Sequence, residues 1–311
     1  MVMHLHSHTH YPNDQQGRNA DVHKAGRVAI RRALILVLIF MVVEFVGGFF
    51  ANSLALMSDA LHMLTDSIAL MLALFAFWIA SRPSTPKMSF GYHRAEILGA
   101  LTCGLLIWFL TALLVYEAIL RFKAPPEVKG SLLLVVASMG LIVNLISAWM
   151  LHSARSESLN MRAAYLHVLG DLLGSVGAIF AGLIILLTGW RLIDPLVTFL
   201  IAGLLLYGSW KIVIEAVGIL MESTPRGIDP EEVRQVLEGL EVVEEVHDLH
   251  IWSVSSGILA LSAHLVSTNP SDALTEANQT LDKRYGIHHT TIQVEHPEKF
   301  QSNRCYECIP K

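Results

Sequence analysis

Apolar residues come along this chain in long runs rather than as the alternating positions of a half-buried strand or the single stripe of a soluble helix. Six runs stand out: Ala33–Phe50, Leu54–Ala80, Ile97–Arg121, Ser131–Leu151, Ala163–Gly189 and Pro195–Met221. A bilayer span needs about 20 predominantly apolar residues, so each run predicts one membrane helix. Pro83, Pro86, Pro125 and Pro126 break the second and third connections, where helices should stop. Residues 1–32 are polar, basic and rich in histidine, with no apolar core of their own, so no signal peptide is expected there.

From Glu222 the pattern changes to charged and mixed. "DPEEVRQVLEGL" predicts a helix, with Asp229 as its cap and Pro230 in its first turn. "EEVHDLHIWSV" and "ILALSAHLV" read as strands joined around Ser255–Gly257. "SDALTEANQTLDKRYG" predicts a second helix capped by Ser271 and stopped by Gly286, and "HTTIQVE" a third strand. Helix, strand, strand, helix, strand is the order of a small α+β sandwich with its helices on one sheet face. The expected fold class is therefore membrane α-helical, with six transmembrane helices and a small cytoplasmic α+β domain. The divisions fall at 1–32, a polar His-rich tail; 33–221, the helical membrane domain; 222–300, the α+β domain; and 301–311, a C-terminal tail.

Composition agrees. Of 311 residues, 53% are hydrophobic and 16% charged, too apolar for an ordinary soluble protein. A net charge of −5 carries no basic footprint for nucleic acid. Three cysteines are too few for a disulfide scaffold.

Six spans put both termini on one side. With the termini inside, the inner flanks carry Arg18, Lys24, Arg27, Arg31, Arg32, Arg82, Lys87, Arg94, Arg155 and Arg162. The outer loops carry Arg121, Lys123, Lys129 and Arg191, and the third-to-fourth connection dissents. The positive-inside rule places both termini in the cytoplasm.

Two of the spans hold ionisable residues in a repeated pattern. "LHMLTD" (Leu61–Asp66) and "LHVLGD" (Leu166–Asp171) share L-H-x-L-x-D. A charged side chain at the bilayer centre costs about 3 kcal/mol on insertion scales, so something must offset it. His and Asp at i and i+4 lie on one helix face. If the second and fifth helices pack face to face, His62, Asp66, His167 and Asp171 converge. Two imidazoles and two carboxylates make a tetrahedral set for a divalent ion of borderline softness, such as Zn²⁺. Two negative charges and one divalent cation sum to zero, which supplies the offset. A single such pair reads equally well as a hydrogen-bonded structural pair; two copies in two spans favour the metal.

Other polar residues in the spans are open to two readings. Asp59, three residues before His62, is either a partner or proton acceptor beside the ligands or a polar residue near the outer helix end. Glu44 and Asn144 read as packing or pathway residues, and Cys103 as a small hydrophobe.

"SLALMSDALHMLTDSIAL" and "AAYLHVLGDLLGSVGAI" resemble the signature helices of the cation diffusion facilitator family, in its zinc-transporting branch. The resemblance takes in "FGYHRAEILGA" at the third helix, "HDLHIWSV" and "TIQVE" in the tail, and nearly the whole chain. It implies a homodimer that exports Zn²⁺ from the cytoplasm in exchange for protons. It implies too that the tail is a ferredoxin-like, metallochaperone-like domain that helps dimerise and sense metal. By the same resemblance His247, His264, His288 and Glu295 match positions that bind zinc in related tails, with His250 a lesser candidate. The inner loop holding His93 is a place where the family puts an auxiliary metal site; a lone loop histidine is otherwise simply solvated.

The C-terminal Cys305 and Cys308 form a CxxC without the strand-to-helix setting of a redox motif. Reduced thiols at that spacing suit zinc, the alternative being a solvated tail. His4, His6, His8 and His10 alternate at the N-terminus and read as a loose metal-capture arm or a tail without a role.

Three functional classes are weighed. An intramembrane metallohydrolase would want H-E-x-x-H or a comparable base, which is absent, so an enzyme is not expected. A membrane-anchored zinc sensor without transport does not need a buried metal site in its anchor. A secondary transporter needs one. No Walker motif offers ATP as a driving force, which leaves an ion gradient. The expected protein is thus an integral membrane Zn²⁺/H⁺ antiporter of the bacterial inner or plasma membrane. Its partners are Zn²⁺, protons, lipid and a second copy of itself, with no nucleic acid.

Overall fold

A computed structural model describes residues 13–50, 54–123, 130–156, 158–190 and 192–299. The described residues divide into two compact units, one lying within residues 20–217 and the other comprising residues 13–19 and 218–299.

The first unit is helical. Its helices are α1 (Asn13–Phe50), α2 (Leu54–Ala80), α3 (Arg94–Lys123), α4 (Gly130–His152), α5 (Leu159–Thr188) and α6 (Ile193–Leu220), the ends of α1 and α6 passing into the other unit. Three stretches are long and apolar enough to cross a membrane among the described residues: Arg94–Leu120, Leu159–Thr188 and Pro195–Leu220. Ser67–Ala80 and Ser138–His152 are shorter apolar helices. The outward surface is apolar as well. Trp149 and Leu187 are each 76% exposed, which a helix surface tolerates when lipid is its solvent.

One boundary differs from the sequence reading. The expected tail through residue 32 is helical from Asn13 onward. Charged and small helix formers carry the helix, and it has a tertiary reason to persist: Ile30 and Ala33 are fully buried in the core that α1 shares with α2, α4 and α5.

Local chemistry sets the ends of α5. Ser158 has extended backbone and its hydroxyl accepts from the Met161 N–H at 3.1 Å, satisfying one of the unpaired donors of the first turn. Gly189, at φ 71°, closes the helix by donating to Ile185 at 2.8 Å. α5 packs against α2, α3 and α4.

The second unit contains α7 (Pro230–Glu238), β1 (Glu245–Ser255), β2 (Ile258–Val266), α8 (Pro270–Tyr285) and β3 (His289–Glu295). Asp229 caps α7, accepting from Glu231 N. Asn269, not the expected Ser271, caps α8. Proline has no N–H to give and favours the first helical position, so Pro270 places the cap one residue before itself. Ser271 sits in the first turn, its carbonyl accepting from Thr275 Oγ1.

The sheet order is β1-β2-β3. β1 and β2 are antiparallel, and β2 and β3 parallel, the latter requiring the crossover that α8 supplies. Val233, Leu237, Ala273, Ala277 and Leu281 of the two helices form one core with Val246, Leu249, Ile251, Leu261, Ala263 and Leu265 of the strands. The alternate residues point to the opposite sheet face.

Candidate metal centres

The membrane motif is half described. On α5, His167 is 5% and Asp171 20% exposed, with His167 Nε2 3.8 Å from Asp171 Oδ2. The i, i+4 spacing brings them to one face as expected. Ser175 Oγ donates to the Asp171 carbonyl at 3.0 Å, and Asn144 Nδ2 of α4 donates to Ser175 Oγ at 3.3 Å. Asn144 is thus a packing link between α4 and the motif turn. Positions 59, 62 and 66 lie on α2, which packs against α5. The side chains of Asp59, His62 and Asp66 fall outside the described residues, as does that of Glu44. Cys103 is fully buried in α3.

The second constellation is built on the sheet face opposite α7 and α8. His247 and His264 are cross-strand partners in the β1–β2 register. Glu295 ends β3, opposite Val266 of β2. His264 Nδ1 lies 3.1 Å from Glu295 Oε1, and His247 Nε2 3.8 Å from Glu295 Oε2. Ligand atoms of these three residues lie within 4.8 Å of one another, which makes them the one group of three or more potential ligands that could hold a metal ion among the described residues. Zn–N bonds of about 2.0–2.1 Å in a tetrahedron set ligands roughly 3.4 Å apart, so this donor set fits zinc, with a fourth position open. Burial holds the His247 imidazole below its ordinary pKa, the Glu295 carboxylate working against it. A lowered value keeps the ring neutral, as a metal ligand must be.

A residue that sequence reading missed lies beside them. Asp248 has φ 51° and sits where the register shifts between His247 and His250. Two residues of β1 stand against one of β2 there, which is a β-bulge. The bulge keeps Val246 and Leu249 both in the core, and so turns His247 and His250 to the same outer face. Asp248 Oδ1 lies 3.3 Å from His250 Nε2 and its Oδ2 3.9 Å from His264 Nε2. The available signal was a carboxylate inside a strand, where aspartate is depleted.

His288 does not join the cluster. It precedes β3, and its Nδ1 lies 2.7 Å from Asp282 Oδ1 of α8. His93 is half-buried in the turn before α3, with its pKa lowered by burial, and it belongs to no cluster of potential ligands among the described residues. His4, His6, His8, His10, Cys305 and Cys308 lie outside the described residues.

Comparison with known proteins covers both parts of the chain. The cation efflux transmembrane domain matches residues 30–221, and the cytoplasmic domain of cation efflux proteins matches residues 225–297. A cadmium, cobalt and zinc/H⁺-K⁺ antiporter of Bacillus subtilis is 41% identical over 92% of this chain and 94% of its own length. The zinc transporter ZitB of Escherichia coli is 40% identical over 95% of this chain and 93% of its own. The metal-bound C-terminal domain of the CzcD transporter from Cupriavidus metallidurans is 38% identical, covering 22% of this chain and 99% of that domain, at a TM-score of 0.21.

Proposed function

This chain belongs to the cation efflux family, whose members are membrane transporters and not enzymes, and we propose that it exports Zn²⁺ from the cytoplasm in exchange for protons. The observation that carries the reading is the pairing of buried His167 with Asp171 on a helix packed against the one that repeats its motif. An intramembrane imidazole and carboxylate mark an ion pathway. His62, Asp66, His167 and Asp171 together would hold the transported ion, the two carboxylates balancing its charge. Relatives named for zinc, cadmium and cobalt agree with a mixed nitrogen and oxygen set, which suits borderline ions over magnesium and manganese.

The same residues explain coupling. An imidazole titrates near pH 6.5 when unperturbed, and zinc binds only its neutral form. A proton arriving from outside competes with zinc for His62 and His167. The ion leaves as the rings protonate, and the reset site carries protons inward. Rocking of the helices that bear the motifs against the rest would alternate access. In this reading α1–α6 all span the membrane, both termini lie in the cytoplasm of a bacterial cell, and the tail dimerises two copies. His247, His264 and Glu295 then report cytoplasmic zinc to the dimer.

Zinc flux into proteoliposomes, with and without an imposed pH gradient and with internal pH read together, tests the reading. Zinc uptake coupled to proton movement, lost in Asp171→Ala, supports it. Flux indifferent to the gradient overturns the antiport. No flux at all, with zinc still held by the tail, leaves a membrane-anchored sensor.

A further inference from the structure

Three helices of the membrane unit meet at a node of small residues. Asn160, fully buried in the first turn of α5, donates from Nδ2 to the Ala73 carbonyl of α2 at 2.8 Å. Its Oδ1 faces Gly99 of α3. A methyl group at Gly99 would stand 3.1 Å from that oxygen and 2.4 Å from Ala76 Cβ. Ala73 and Ala76 are buried as well. A buried amide is costly unless it is hydrogen-bonded, and successive helical carbonyls are displaced by about 1.5 Å and rotated by about 100°. The bond therefore selects one carbonyl and refuses its neighbours.

The end of α2 meets the start of α5. A methyl group at Gly26 of α1 would touch both Met161 and Phe77, and Arg27 reaches Ser81. The two helices therefore run antiparallel. Counting eleven residues back from Ala73 reaches His62, and eleven on from Asn160 reaches Asp171. Seven residues reach Asp66 and His167 in the same way. These offsets are close to three and two whole turns, about 16 Å and about 10 Å along the axis. The four motif positions thus share the helix faces of the node. Position 62 stands level with Asp171, and position 66 with His167. Four residues from the node on each helix are Ala69 and Ala164, both fully buried, as a register running through this interface requires.

We propose that Asn160 is a positioning residue for the transported metal. Its bond to Ala73, seated in the Gly99 notch, pins the α2–α5 register that levels each motif histidine with the aspartate of the other helix. The proposal rests on the transport reading above, but the register has a readout of its own.

The test uses the full chain in proteoliposomes with Cys103, Cys305 and Cys308 replaced by serine. Ala69→Cys with Ala164→Cys should form an oxidative cross-link, and Ala69→Cys with Val168→Cys should form it poorly. Adding Asn160→Leu should shift cross-linking toward the second pair. In the chain without the paired cysteines, Asn160→Leu should raise KM for zinc about tenfold or more, as loss of a group that orients metal ligands does, and lower the preference for zinc over cadmium. Gly99→Ala should have the same two effects on transport, and Ala76→Gly in the same chain should restore both by making room for the methyl. If Asn160→Leu does not insert, the Gly99→Ala variant and its rescue decide. An unchanged cross-link pattern and KM in Asn160→Leu, or a Gly99→Ala defect that Ala76→Gly leaves in place, overturns the proposal. Chains that keep Asn160 and carry no zinc, while the Ala69→Cys and Ala164→Cys pair cross-links as expected, retire the transport reading and leave the register standing.

Discussion

His264 Nδ1 lies 3.1 Å from Glu295 Oε1, joining two parallel strands that α8 alone connects in sequence. His247, paired with His264 across the other ladder, completes the set. Removing one of three protein ligands should lower zinc affinity of the cytoplasmic unit by more than the roughly 10–100-fold typical of groups that merely orient ligands. His264→Ala and Glu295→Ala are the variants, calorimetry on the cytoplasmic unit the measurement. His288→Ala should leave affinity unchanged, because His288 is engaged with Asp282. Equal losses in all three would return His288 to the site.

Asp248 occupies the left-handed region at φ 51°. Aspartate tolerates it better than alanine or a β-branched residue, for which left-handed backbone costs roughly 1–2 kcal/mol. Asp248→Val should destabilise the cytoplasmic unit by about that much, and Asp248→Gly should not. Urea unfolding of the two variants compares them, and identical midpoints would remove the conformational argument.

A pH dependence follows from His247. Burial lowers its folded-state pKa, with Glu295 opposing. The unfolded chain takes up this proton more readily, at about pH 6.5. The stability that the neutral ring contributes is complete above that value and is lost as pH falls through the lowered one. Metal-free cytoplasmic unit should show a flat unfolding midpoint above about pH 6.5 and a decline below it. His247→Gln should flatten the decline, and an unaltered slope in that variant would assign the dependence to other groups.

In the membrane unit, alanine at His62, Asp66, His167 or Asp171 should each remove most zinc transport while the protein inserts normally. A four-ligand site that loses one ligand loses affinity and its charge balance together. Vesicle flux with surface-matched protein amounts is the check, and normal transport by all four variants would place the site elsewhere.

Selectivity should follow ligand softness. Imidazole favours borderline ions, and carboxylate favours hard ones. His62→Asp should therefore raise manganese transport relative to zinc. An unchanged ranking in competition assays would argue against His62 as a ligand.

What the sequence determined by itself is local. Runs of about 20 apolar residues specify helices whatever their neighbours, and Asp229, Gly189 and Gly286 mark helix ends because caps and left-handed residues act within one turn. The i, i+4 spacing brought His167 and Asp171 to one face for the same reason. Register belonged to tertiary structure. In the strands a slip of one residue exchanges faces, so only the bulge at Asp248 decides that His247 and His250 point the same way, and only α8 decides that His288 meets Asp282 instead of His264. In the membrane unit the levels of the two motifs depend on a bond between Asn160 and Ala73, residues 87 positions apart. Period and capping are written within a few residues, whereas such a contact exists only once the chain has brought its distant parts together.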